Sequence, residues 1–354
     1  MQQKPSSKTA ILCGYYGQDN IGDEALLMSL IQMLPEGIQP VVLSANPQQT
    51  QARLNVSAIP NRSAFPILEA LQNADYLIWG GGSLLQDVTS LRSPVYYAGL
   101  MALAQQRRIK TIAWAQGIGP LKSAFSRWLA RKTLIGCDKI SVRDRASLEL
   151  LSTWGLSPLI APDPVWALES ASFPELWQLP APRIAVTLRH HPQLTRPKIQ
   201  ALTQALQSLQ KATDTCILLV PFQPQDNALA EEMAKELAEP KAVIRGESPT
   251  RLKRLFRGVE MAIGMRYHSL IMAASQECRC FALSYDPKIS QFMTEFEIPG
   301  WEIANIPEDA SVITKAWLEH YANGESLTPD QIQSQRDRAL MHQDLLSQLS
   351  ESSL

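Results

Sequence analysis

The sequence predicts an α/β protein of two Rossmann-like parallel-sheet domains facing a cleft. Three observations lead there. Short apolar runs of strand length alternate with amphipathic segments of helical length, which is the pattern of strands joined by crossover helices and hence of a parallel sheet. A polar stretch punctuated by Pro174, Pro180 and Pro182 interrupts the alternation, and the alternation then resumes. The length of 354 residues suits two domains of ordinary size.

In the first half, strands are expected at 9–14, 39–44, 75–79, 110–115 and 139–142. Each is a compact apolar run, as strands covered on both faces require. Helices are expected at 23–34, 94–107 and 145–154, the last ended by Gly155. In the second of these, Val95, Gly99, Ala102 and Leu103 recur at helical spacing. After the linker at 169–183, strands are expected at 183–188, 215–221, 260–264 and 279–284. Helices fill 195–210 and 225–238. A third opens at Ser248-Pro249, an N-cap followed by a first-turn proline, and runs to Arg257. The segment 329–349 is polar with weak helical periodicity. The expected domains are thus 1–172 and 183–328, with a final helix in 329–354 able to pack back on the first domain.

Composition narrows the function. The chain is 45% hydrophobic and 19% charged with a net charge of -1, so no global field recruits nucleic acid. Its five cysteines are odd in number and scattered, which fits neither a disulfide framework nor a zinc pattern. Cys13 and Cys216 read as core residues, and Cys278 and Cys280 as strand-edge thiols rather than a redox pair. The apolar run near the start is too short for a signal peptide, and none approaches 18 residues. The expectation is a cytoplasmic protein with at most peripheral membrane contact at the inner face.

The most informative motif is Gly264-Met265-Arg266-Tyr267-His268-Ser269. A strand feeds a tight turn, and a helix is expected to open near His268 and Ser269. This gathers a cation, a titratable ring and the unpaired N–H groups of a helix N-terminus, a combination suited to a small, reactive anion. A buried salt bridge for Arg266 and a core role for His268 are the structural alternative. Arg189, in the run Arg189-His190-His191, ends a strand at the corresponding height, and Lys288 follows the next strand within reach of the same anion.

The first half carries four loops of its own. Gly14-Tyr15-Tyr16-Gly17-Gln18-Asp19-Asn20 leads into a helix whose first turn holds Asp23 and Glu24. Its glycine spacing is not that of a dinucleotide loop. The two carboxylates either serve the helix dipole or, for Asp23, meet a hydroxyl-rich ligand as acceptor or base. Gly80-Gly81-Gly82-Ser83-Leu84-Leu85-Gln86-Asp87 is either a crowded strand–helix crossing or a sugar site. Gln116-Gly117-Ile118-Gly119-Pro120 is the third loop. In the fourth, Ser141-Val142-Arg143-Asp144, Arg143 faces the crevice and Asp144 is a helix N-cap.

The ordered set GYYGQDNIGDEAL, GGGSLLQD, AQGIGP, SVRD, GMRYHSL and ALSYDPK resembles the bacterial polysaccharide pyruvyl transferase family, CsaB type. Tyr267 stands where relatives often carry an aliphatic residue. The resemblance implies a glycosyltransferase-B-like architecture and transfer of a pyruvyl group from phosphoenolpyruvate (PEP) to a sugar of a cell-wall or lipid-linked polysaccharide precursor. The product would be a cyclic, 4,6-linked ketal. It implies no metal and no cofactor, PEP being the donor substrate. Under this reading PEP meets Arg189, Arg266, His268 and Lys288. The acceptor meets Gly17, Asn20, Asp23, Gly81, Gly82, Gln86, Asp87 and Gln116. His268 supplies the acid and Asp23 the base, tuned by Arg143. Substitution of Arg266 or His268 is expected to abolish turnover and spare the fold. A nucleotide-sugar glycosyltransferase of the same architecture and a non-catalytic glycan-binding protein are the competing readings.

Overall fold

The computed structural model describes residues 8–87 and 92–351. The chain divides into two compact units, Met1–Leu168 with Gln335–Leu354, and Glu169–Ser334.

The first unit holds a seven-stranded sheet of β1 (Lys8–Cys13), β2 (Ile38–Ser44), β3 (Ser57–Pro60), β4 (Tyr76–Trp79), β5 (Lys110–Gln116), β6 (Lys139–Val142) and β7 (Leu159–Ile160), in the spatial order β3-β2-β1-β4-β5-β6-β7. All pairings are parallel. Its helices are α1 (Ile21–Met33), α2 (Pro47–Leu54), α3 (Ala64–Gln72), α4 (Arg92–Gln106), α5 (Ala124–Ile135) and α6 (Arg145–Thr153). One core joins Ile11, Leu77 and Trp79 of the sheet to Ile67 and Leu71 of α3, Met101 of α4 and Leu134 of α5. These three helices therefore form a layer on one face of the sheet.

The second unit repeats the plan. Its strands β8 (Arg183–Thr187), β9 (Cys216–Leu219), β10 (Lys241–Val243), β11 (Met261–Gly264), β12 (Arg279–Ser284) and β13 (Gly300–Glu302) form a parallel sheet in the order β10-β9-β8-β11-β12-β13. The helices are α7 (Arg196–Thr213), α8 (Asn227–Glu236), α9 (Pro249–Phe256), α10 (Tyr267–Ala274), α11 (Pro287–Glu295) and α12 (Ala310–Asn323); α13 (Pro329–Glu351) follows and from Gln335 onward belongs to the first unit. In both sheets the order reverses between the first and fourth strands, and the loops at such a reversal leave a crevice at the carboxyl ends. Both units are thus Rossmann-like.

The expected strands form within a residue or two of their predicted bounds. Several elements had no strong signal. Helix α2 (PQQTQARL) buries Thr50 alone, so it shows no apolar stripe. Strands β7, β10 and β13 are two or three residues long. In α5, exposed Phe125 and Trp128 blur the periodicity.

Helix α13 carries a buried histidine. His342 Nε2 donates to the Pro162 carbonyl at 3.0 Å, and its Nδ1 accepts from the Ser141 hydroxyl at 2.9 Å. Ser141 Oγ in turn accepts from the Ala115 N–H at 2.8 Å. Trp114 Nε1 donates to the His342 carbonyl at 3.1 Å. Both ring nitrogens are committed to the neutral form, and burial holds the imidazole down from 6.5 to about 4. Between those values the unfolded chain binds a proton that the folded chain refuses. Stability from this group is therefore complete above pH 6.5 and is lost as pH falls toward 4, at about 1.4 kcal/mol per unit. In a pH series of melting temperatures, His342→Gln is expected to flatten the slope across this window relative to wild type. Parallel slopes would assign the acid sensitivity to other groups.

Candidate active site

Both reversals carry the motifs singled out in the sequence. In the first unit the loop after β1 passes through Gly17, whose φ of +72° suits glycine. A Cβ there would strike Ser44 Oγ and lie 2.6 Å from the Asn46 nitrogen. The Gly17 N–H donates to Glu24 Oε1 at 2.7 Å, and burial pushes the Glu24 carboxyl up. Asn20 caps α1. Its Oδ1 accepts from the Gly22 N–H at 3.2 Å, while its Nδ2 donates to Asp23. Gly82, with φ +130°, lies beside Asp23; a Cβ on it would stand 3.5 Å from Asp23 Oδ1. The loops after β1 and β4 thus meet at Asp23.

The other acceptor candidates are more structural. Gln116 is fully buried. Its Nε2 donates to the carbonyls of Gly80 at 2.5 Å and Trp114 at 3.0 Å, so it fastens β4 to β5. Gly81 packs on Leu26. Asp87 accepts from the N–H groups of Lys122 and Ser123, both at 2.8 Å. These bonds hold its carboxyl below the usual range and fix the chain entering α5. Gln86 is half-buried in the same loop. Arg143 pairs with buried Asp163 at 2.5 Å and reaches Ser83 Oγ at 3.5 Å.

Sequence reasoning missed Tyr16. It is fully buried, and a Cβ at Gly14 or Gly80 would collide with its ring or hydroxyl. Its hydroxyl makes no hydrogen bond among the described residues. The glycines at 14 and 80 were the available signal, since they leave the room that this ring fills.

In the second unit, Thr187 of β8 is paired with Gly264 of β11, so Arg189 and Arg266 each emerge two residues past a matched strand end. Arg189 reaches Tyr285 beyond β12. Its Nη1 donates to the Tyr285 hydroxyl at 2.9 Å, and its guanidinium lies 4.8 Å from the ring centroid. His191 packs on the same ring, with centroids 5.4 Å apart. Desolvation, then the charge of Arg189, pushes its imidazole down.

Arg266 is the N-cap residue of α10, and its own side chain makes no capping hydrogen bond to the helix. Ser269 donates to the Arg266 carbonyl at 2.7 Å and meets the Thr187 hydroxyl at 2.7 Å, pinning the helix start to β8. Arg266 is 8% exposed. Its Nη2 donates to Asp226 Oδ1 and Oδ2 at 2.6 Å and to Gln223 Oε1 at 3.0 Å, and Nε donates to Asp226 at 3.1 Å. Nη1 makes no hydrogen bond among the described residues and remains available to an anion. Asp226 also accepts from the Phe222 and Gln223 N–H groups. Sequence reasoning set Arg266 on substrate, with a buried salt bridge as the alternative. The structure gives it a buried carboxylate partner in Asp226.

His268, in the first turn of α10, is half-buried, with its ring 5.6 Å from that of Tyr267. Tyr267 places its ring edge-on against Phe292 of α11, 6.1 Å between centroids. Lys288 opens α11, whose cap Asp286 accepts from the Lys288 N–H at 3.0 Å. All five cysteines are free. Cys13, Cys216, Cys278 and Cys280 are buried, and burial raises their thiols, that of Cys280 to about 12.

Two parallel-sheet units of this order, with their charged and glycine-rich loops at the strand ends, define a glycosyltransferase-B-like enzyme architecture. The polysaccharide pyruvyl transferase family model matches residues 20–287, and the chain belongs to that family. It is accordingly a transferase of polysaccharide biosynthesis. Solved structures of the same fold include the UDP-GlcNAc 2-epimerase of Methanocaldococcus jannaschii, 10% identical, with 96% of this chain and 99% of that one covered and a TM-score of 0.68. The UDP-GlcNAc 2-epimerase of Neisseria meningitidis, bound to UDP-GlcNAc, is 9% identical over 96% and 100% at 0.63. Anabaena Alr3699/HepE, with UDP and glucose, is 11% identical over 98% and 100% at 0.61. No curated protein matches the chain significantly.

Two stability predictions follow from this packing. Tyr16→Phe removes a buried, unsatisfied hydroxyl and is expected to leave the melting temperature unchanged or raise it. Gly80→Ala inserts a methyl into the ring and is expected to lower it by about 1–3 kcal/mol equivalent. A Tyr16→Phe variant that melts lower would reveal a partner for the hydroxyl. At the ion pair, Asp226→Ala strands a buried guanidinium and is expected to cost about 3–5 kcal/mol. Arg266→Ala also destabilises, by leaving Asp226 buried without its cation. Denaturant midpoints equal to wild type in both would show that the pair carries no stability.

Proposed function

We propose that the protein transfers the pyruvyl group of PEP to a sugar of a cell-wall or lipid-linked polysaccharide precursor, forming a cyclic, 4,6-linked ketal and releasing phosphate. The observation that carries this reading is the matched emergence of Arg189 and Arg266 at the start of α10. PEP bears two anionic groups, and this corner offers two guanidinium groups and a helix N-terminus.

In this reading the second unit holds the donor. Arg189 takes one anionic group of PEP. The α10 N-terminus, with Nη1 of Arg266, takes the other, and Lys288 adds a third cation. His268 donates a proton to the PEP methylene, leaving an oxocarbenium carbon that carries methyl, carboxylate and phosphate. A sugar hydroxyl of the acceptor adds to that carbon, and Asp23 takes its proton. Phosphate then departs, taking up a proton from solvent, and a second hydroxyl closes the ring and returns its proton to His268, while Asp23 gives its proton to solvent. Asn20 orients Asp23, and Gly82 keeps its approach open. Arg143, paired with Asp163 against Ser83, holds the loop and in this reading tunes Asp23.

Incubation with PEP and a panel of lipid-linked or aryl-glycoside sugars tests the reading, with products scored by mass for a pyruvyl ketal. His268→Ala is expected to lower kcat by about 10²–10⁴-fold with the melting temperature retained. Arg189→Ala is expected to raise KM for PEP. Near-wild-type turnover in both would overturn the site. Thermal stabilisation by UDP-sugars with none by PEP would instead favour a nucleotide-sugar glycosyltransferase.

A further inference from the structure

The outer surface of the α3–α4–α5 layer has no role in the chemistry above. Among the described residues eleven large hydrophobic side chains are exposed, and six of them lie here. Phe65 (78% exposed) and Leu68 project from α3, Val95 from α4, and Phe125 (53%), Trp128 (54%) and Ile135 (53%) from α5. Phe125 and Trp128 stack with centroids 6.0 Å apart, and Lys132 lies 5.3 Å from the centroid of Trp128. A concentration of this kind marks an interaction surface.

Charge identifies the partner. Residues 88–137, which contain α4 and α5, hold eight Lys or Arg and not one Asp or Glu, although the whole chain is at -1. Lys122, Arg127, Arg131 and Lys132 are exposed around the α5 aromatics. Exposed Trp and Phe ringed by Lys and Arg fit the interface of a bilayer with negative headgroups. There the rings enter the headgroup–acyl boundary and the cations meet phosphate. A second copy of the same face is disfavoured, because it would bring like charges together.

We propose that the outer face of α3, α4 and α5 docks the protein on an anionic lipid bilayer. Asp87 links this face to the glycine-rich loop of the first unit, because its carboxylate holds the Lys122 and Ser123 N–H groups at the start of α5. The proposal stands apart from the PEP reading, since vesicle binding needs neither donor nor acceptor.

The test is sedimentation of the full chain with vesicles of phosphatidylcholine alone, or of equal parts phosphatidylcholine and phosphatidylglycerol. Binding is expected to the anionic vesicles only, falling as salt is raised. Phe125→Ala with Trp128→Ala, and Arg127→Glu with Arg131→Glu and Lys132→Glu, should each weaken it by about tenfold or more. Their melting temperatures should match wild type, because every altered side chain is exposed. No sedimentation with anionic vesicles at low salt, or variants that bind as wild type does, would overturn the proposal. So would a dimer that the aromatic double variant dissolves without any vesicle binding, which would make the face an interface between copies.

Discussion

Parallel pairing is the constraint on which everything else rests. In both sheets every strand runs the same way, so every strand ends on the same edge and every following helix begins there. Backbone groups past the last ladder bond must find partners in the loops. The loops supply them: Gln116 for the carbonyls at the end of β4, Ser141 for the Ala115 N–H, and Asp87 for the N–H groups ahead of α5. The reversal of strand order then opens the loops at one point in each unit. Polar chemistry gathers there because that is where backbone and side chains are still unsatisfied.

Each unit places a buried arginine just past a strand end and locks it to a buried aspartate: Arg143 with Asp163 and Arg266 with Asp226. Taking both charges out of water is expensive, so such pairs add little net stability over apolar packing. Their contribution is geometric. Asp226 occupies Nε and Nη2 of Arg266, which leaves Nη1 as its one edge without a hydrogen bond among the described residues. Asp163 likewise fixes Arg143 against Ser83 of the glycine-rich loop. Both guanidinium groups are thereby fixed in direction.

Much of this was legible in the sequence. Apolar runs such as Ile11-Leu12-Cys13 and Met261-Ala262-Ile263 located the strands, because a strand buried on both faces needs no alternation. Glycines and charges following those runs located the loops. The partners were not legible. Asp163 and Asp226 lie far along the chain from the arginines they bind, and each doubles as a local cap. Tyr285 sat inside a recognised motif, yet its hydroxyl meets Arg189 only because β8 and β12 flank β11. Helix α5 was obscured by the apolar side chains it exposes.

Tyr16 alters what the glycine motifs signify. Gly14 and Gly80 are small because an aromatic ring occupies the space above both. Positions 14, 16 and 80 are therefore one packing unit divided among two strand ends, and a change at one is tolerated only with compensation at another. Among relatives these positions should drift together, and they should persist even where catalysis has been lost. A glycine signature here is thus a fossil of the fold.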